Sequence, residues 1–228
     1  MRTILVFCFL ITIFQLKAQE SLPKKSDLYA DLGVGLGSSK VSVTSALNYN
    51  WHLGKNNKIV VGTGIRYTLF SGNNINFTSA PNDLAVDEKS VDTLLAPSSN
   101  VHSFNLLINL GYNISPKLQV GFSIDVFGLS FGPTGAPTYI SEGKQQVTSA
   151  SPTKINVLLV GNNDIGSLNS FFYAKYQLSN RFEVKLGYQF LFNELTTNTN
   201  IQTLPSQNDR FRNKSSLGYI GVTYSFSK

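Results

Sequence analysis

Cysteine is nearly absent. The 228 residues hold one, Cys8, with one tryptophan, two histidines and only 14% charged side chains. Each scarcity excludes something. Cys8 lies within the apolar run 4–14 of MRTILVFCFLITIFQLKAQ, behind Arg2 and ahead of a polar exit at Ala18. This is the layout of a secretory signal peptide, and the run is too short for a spanning helix. Residues 1–18 are expected to be removed, with cleavage after Ala18. A lipoprotein needs its cysteine at the cleavage site, so that class is set aside. The mature chain keeps no cysteine, and its exported fold has to hold without disulfides. Nothing in the pattern calls for a metal or another cofactor.

No run rich in Lys and Arg with interleaved aromatics is present, which argues against nucleic acid as a partner. Without Arg2 and Lys17 the formal net charge falls from +6 to +4, an excess suited to anionic lipid or glycan. No long apolar helix candidate follows the signal. Any crossing of a membrane therefore has to be made by strands.

Strands are what the rest of the chain supplies. SPKLQVGFSIDVFGLSFG, residues 115–132, sets Leu118, Val120, Phe122, Ile124 and Val126 on one face and Gln119, Gly121, Ser123 and Asp125 on the other. This period of two marks a strand with one apolar and one polar face. Eight such segments stand out: 27–37, 41–53, 58–70, 102–114, 118–129, 168–178, 182–192 and 216–226, each eleven to thirteen residues long. Globular strands centre near ~5–6 residues, whereas a tilted strand needs roughly 9–11 to cross a bilayer.

The connections alternate in phase. Tight polar turns at 54–57, 115–117 and 179–181 are interleaved with long connections at 71–101, 130–167 and 193–215, and only the first outer connection, 38–40, is short. A water-soluble sandwich has no reason to keep that phase. A transmembrane barrel does, with short periplasmic turns and long extracellular loops. The expected fold is all-β: an eight-stranded antiparallel up-and-down transmembrane barrel over residues 27–228. Residues 19–26 form a short periplasmic lead-in, and both termini are periplasmic. Trp51, Tyr49, Tyr67, Tyr112, Tyr176 and Tyr224 lie towards segment ends, as interfacial girdles require. The apolar faces then point at lipid and the polar faces fill a narrow interior.

The closing segment alternates from Tyr219 to a near-terminal Phe226, and resembles the signal read by outer-membrane assembly machinery. With the repeated strand–turn–strand units at 114–118 and 178–182, the chain resembles the outer-membrane protein beta-barrel domain family, small barrels of the OmpX, OmpA-transmembrane or PorT-like type. The resemblance implies location and architecture. It implies no single activity, because such barrels host adhesion, assembly, lipid-modifying and accessory roles. The partners it implies are outer-membrane lipid and lipopolysaccharide, the barrel-assembly machinery during insertion, and a protein partner in an envelope complex.

Parity sends Asp31, Arg66, Asp125, Lys175, Glu183 and Lys185 into the interior. A lone buried charge costs several kcal/mol, so these six are expected to pair as an ionic plug. Catalysis has little to stand on. His102 and Ser103 are adjacent and so face opposite ways on a strand, the wrong geometry for a triad. An acid for them would come from Asp87, Glu88 or Asp92. An eight-stranded interior leaves no aqueous channel. The leading reading is a non-enzymatic barrel with a structural or surface-interaction role, or an accessory subunit. The rivals are a lipid A-modifying enzyme and a small solute or ion conduit. In the long connections, Ile155, Val157, Leu158, Leu159 and Val160 form an apolar segment expected to extend the barrel, fold over its mouth or contact a partner. Asp92-Thr93-Leu94 resembles short O-glycan acceptor sites, with Thr93 as the acceptor.

Overall fold

Antiparallel pairing in this chain starts from tight turns. Positive φ at Ser39, Asn57 and Gly54 lets the backbone reverse within a few residues. The computed structural model describes residues 25–80, 84, 92–159 and 163–226. The signal segment, Asp87, Glu88 and Val160 lie outside the described residues. Within them, eight long strands form the wall: β1 (Ser26–Gly37), β2 (Lys40–Leu53), β3 (Ile59–Ser79), β4 (Thr93–Ser115), β5 (Leu118–Phe131), β10 (Asn169–Gln177), β11 (Phe182–Thr197) and β12 (Arg210–Ser225). Four short strands fill the β5–β10 connection: β6 (Thr138–Ser141), β7 (Lys144–Val147), β8 (Ala150–Pro152) and β9 (Ile155–Val157).

The eight long strands pair in the order β4-β3-β2-β1-β12-β11-β10-β5, and β4 pairs with β5 to close the ring. Closure removes every free edge from the wall, the condition for strands to cross hydrocarbon. Leu32, Leu47, Ile65, Leu110, Leu186, Ile220 and Val222 point outward and are exposed, while Asp31, Asn48, Arg66, Asn109, Lys185 and Thr223 are buried inside. Leu186 and Val222 do not meet across a common centre, as a sandwich would require. Aromatics ring the apolar band: Tyr49, Trp51, Tyr112, Phe182 and Tyr224 at the short-turn end, and Tyr67, His102, Phe104 and Phe131 at the other. From Phe104 to Tyr112, a rise of ~3.3 Å per residue and a tilt near ~40° give a band roughly 20–25 Å tall.

Above the band the polarity inverts. In β3, Arg66 and Thr68 face inward, but past Asn74 (φ 53°) it is Ile75 and Phe77 that are buried, with Asn76 and Thr78 outside. On β4 the buried set shifts likewise, from Ser99 and Val101 to Leu94 and Ala96 across the exposed Pro97. There is a physical reason. Beyond the lipid the outer face meets water, so apolar side chains gain by turning inward. Phe70, Phe77, Leu94, Leu191, Leu195, Phe211 and Leu217 thus fill the lumen at the long-loop end as one apolar cluster. This corrects the loop expectation. Much of 71–101 and 193–215 is wall, because polar residues that read as loop are the wet outer face of longer strands.

Two further differences shape the wall. The β4–β5 register slips between Leu106 and Leu107, leaving Val126 in a bulge. Phe127, Leu129 and Phe131 then face outward, with Gly128 and Ser130 inside. The short β1–β2 hairpin stops low, and above it β12 pairs directly with β3 at Phe211↔Ser79 and Arg212↔Thr78.

Candidate functional site

The lumen is a column with three levels. The lowest is a mouth at the short-turn end, a cavity of about 490 Å³ lined by residues of all three tight turns, with Gln119 and Lys175 among its lining. Here His52 Nε2 lies 3.2 Å from Asp27 Oδ1 and its Nδ1 3.3 Å from Asn113 Nδ2.

The middle level holds the six charges. They come from five strands, β1, β3, β5, β10 and β11, and alternation within each one aims them inward. Lys175 Nζ meets Glu183 Oε2 at 2.8 Å and Lys185 Nζ meets Asp31 Oδ2 at 2.6 Å. Asp31 also accepts from Thr223 and from Asn48 Nδ2. Each lysine amine lies 4.4 Å from the centre of a tyrosine ring, Tyr29 for Lys175 and Tyr173 for Lys185, an arrangement that adds cation–π attraction in a desolvated site. Higher up, Arg66 Nη1 donates to Asp125 Oδ1 at 2.8 Å. Asp125 Oδ2 accepts from Asn105 Nδ2 at 2.7 Å and from the Asn169 amide at 3.1 Å. Arg66 also donates to Ser123 and stacks 4.6 Å over Phe171. Every acid of the six thus has a base, and Asp31 and Asp125 have further donors besides, which is what keeps buried ions tolerable. Room for the rings comes from glycine: a Cβ on Gly121 would fall 2.5 Å from the Tyr173 ring.

The top level is the apolar cluster, which sits above the polar column. The column can organise buried charge.

The remaining predicted residues lie apart from this column. Ile155 and Val157 belong to β9, which pairs with β5 opposite Leu129 and Phe127, so the segment lies in the wall rather than over the mouth. Asn156 between them is fully buried and holds Ser130, Asn105 and the Ser167 amide. The Leu158 amide donates to the bulged Val126 carbonyl at 2.9 Å, and Leu159 is exposed. Thr93 opens β4 between Thr78 and Ile140 and is half-buried. His102 Nδ1 lies 2.7 Å from Tyr67 Oη, and its ring stacks on Phe131 at 5.2 Å, while Ser103 is buried on the opposite face.

Sequence reasoning missed one charged cluster. Glu194, at outward parity yet fully buried, receives Arg210 Nε at 2.8 Å, Arg212 Nη2 at 2.9 Å and the Gly166 amide at 3.2 Å. Both arginines also donate to the Asp164 carbonyl. The cluster pins residues 163–166 to the wall beside β8, which pairs with β11. Nothing local marks it, since Glu194 and Arg212 lie in a stretch that reads as loop. In the same upper region Tyr139 donates to Asp92, and burial pushes its hydroxyl up to about 12.

No family model matches the sequence, and no curated protein matches it. Solved structures do. Neisserial surface protein A is 9% identical with a TM-score of 0.41, over 89% of this chain and 98% of that one. The N-terminal barrel domain of Pseudomonas aeruginosa OprF is 10% identical with a TM-score of 0.37, over 89% and 98%. The attachment invasion locus protein Ail of Yersinia pestis is 7% identical with a TM-score of 0.38, over 89% and 99%. The chain is similar to these small outer-membrane barrels, and its own barrel architecture stands on its closed ring of eight paired strands.

Proposed function

We propose that this chain is a non-enzymatic integral barrel of the bacterial outer membrane. Its short turns and both termini lie on the periplasmic side, and it acts at the long-loop end, in surface interaction or as an accessory subunit of an envelope assembly. The observation that carries the reading is the apolar filling of the upper lumen by Phe70, Phe77, Leu94 and Phe211, all fully buried. A tube sealed this way is suited to presenting a rigid outer end and unsuited to passing solute. Among the described residues that outer end is built largely of extended, cross-paired strands, and rigid elements hold contact surfaces better than mobile ones do. Lipid modification is disfavoured because His102 is engaged by Tyr67 and faces away from Ser103. The aromatic girdle of Tyr67, Phe104 and Phe131 is suited to lipopolysaccharide at the headgroup level.

Because the mature chain has no cysteine, single cysteines report sidedness cleanly. In intact cells, K144C at the β6–β7 turn is expected to react with a membrane-impermeant maleimide, and K55C is expected to react only after lysis. The reverse pattern overturns the orientation and with it the surface role.

A further inference from the structure

At the opposite end from the surface role proposed above, the mouth has a charge pattern of its own. Three cations at the tight-turn end line it: Lys58, directly after the 54–57 turn, and Lys117 and Arg181 within the other two turns. The two acids lining the same cavity are already engaged, Glu183 by Lys175 at 2.8 Å and Asp27 by His52 at 3.2 Å. Among the described residues, none of the three rim cations is in an ion pair. Arg181 donates to Tyr224 Oη at 3.0 Å, and the Lys58 amine lies 6.0 Å over the Tyr112 ring. Two of these cations thus rest against girdle tyrosines at the lip, and cations gathered at the lip of one concavity raise the positive potential within it.

A second, independent feature lies deeper. Gln119 lines the same cavity, is 6% exposed, and its Oε1 has no hydrogen-bond partner. A buried acceptor without a donor is costly, and a ligand that brings an N–H removes that cost. The volume, about 490 Å³, falls within the roughly 300–1,000 Å³ of ordinary ligand sites.

We propose that the mouth is a binding site for a short acidic peptide segment. Its carboxylates meet Lys58, Lys117 and Arg181, and a peptide N–H donates to Gln119 Oε1. A phosphate ester satisfies the rim but supplies no N–H to the deep acceptor. A neutral peptide supplies the N–H but leaves the rim unpaired. The site takes both features at once, and peptides rich in Asp or Glu carry both.

The test uses the purified full-length mature chain in zwitterionic detergent micelles and reads fluorescence anisotropy of labelled tri-glutamate. Tri-glutamate is expected to bind at least tenfold more tightly than tri-glutamine. The exposed-turn double variant K117Q/R181Q is expected to lose at least tenfold in affinity while its unheated band keeps its folded mobility on a gel. Q119L is expected to weaken tri-glutamate as well, with the preference over tri-glutamine retained. Equal binding of the two peptides, no binding of either, or an unchanged affinity in K117Q/R181Q overturns the proposal. So does displacement of the peptide by inorganic phosphate at equal concentration, which assigns the rim to phosphate instead.

Discussion

Arg66 on β3 and Asp125 on β5 form a 2.8 Å ion pair across an intervening strand. Between them lies Asn105 of β4, which is paired in register with Arg66 and donates its own amide to Asp125 at 2.7 Å. Three strands are thus tied at one level inside the wall, beside the β5 bulge. Removing one partner leaves a charge stranded where water cannot reach it. R66M and D125N are each expected to destabilise the barrel by about 3–5 kcal/mol. The R66M/D125N double variant is expected to cost less than the sum of the single changes. Urea unfolding in micelles, followed by tryptophan fluorescence from Trp51, checks this. Additive losses would show that the pair is not coupled.

The inversion of polarity along the wall makes a paired prediction. L186K and V222K place a charge in the lipid-facing band and are expected to cost about 2–4 kcal/mol. N76K lies on the wet outer face of the extended β3 and is expected to change stability by less than about 0.5 kcal/mol. The same unfolding measurement decides it. Equal costs at the two levels would place Asn76 within the hydrocarbon.

The apolar cluster should behave as a seal. In planar bilayers the unaltered protein is expected to show no stable open steps. F77A and F211A each remove a fully buried ring and are expected to cost about 3–5 kcal/mol. The F77A/F211A pair is expected to bring flickering conductance. Stable steps from the unaltered protein would mean that the seal opens.

Glu194 holds two arginines and, through them, the 163–166 segment. E194A leaves Arg212 buried without its carboxylate partner, a loss of about 3 kcal/mol or more. Limited proteolysis is expected to cut the 153–168 region in E194A folded in micelles, and to spare it in the unaltered protein. Resistance in both would show that β8 and β9 are held without the pin.

Much of this molecule was legible in its sequence. Strict alternation in the segment of Phe104, Leu106, Ile108 and Leu110 identifies a strand with one greasy face, and in-phase turns identify the up-and-down order. Parity alone sends Asp31 and Lys185 inward. Lys175 and Glu183 are close enough in sequence to be read as neighbours across a turn. Asp31 and Lys185 lie 154 positions apart, and only ring closure brings β1, β12 and β11 side by side. The Val126 bulge does leave a trace, since the apolar positions are even from Leu118 to Val126 and odd from Phe127 to Phe131, a change of phase that an unbroken 118–129 segment passes over.

What the amino-acid order determined by itself was the period of two and the spacing of turns, because side-chain direction along a strand and the reversal of a tight turn are local properties. Tertiary structure decided which face meets water at each height. A residue such as Phe77 or Glu194 faces lipid, water or a neighbour according to how far its strand rises above the bilayer and what closes over it. That height follows from the lengths of all eight strands together, and no single stretch of the chain contains it.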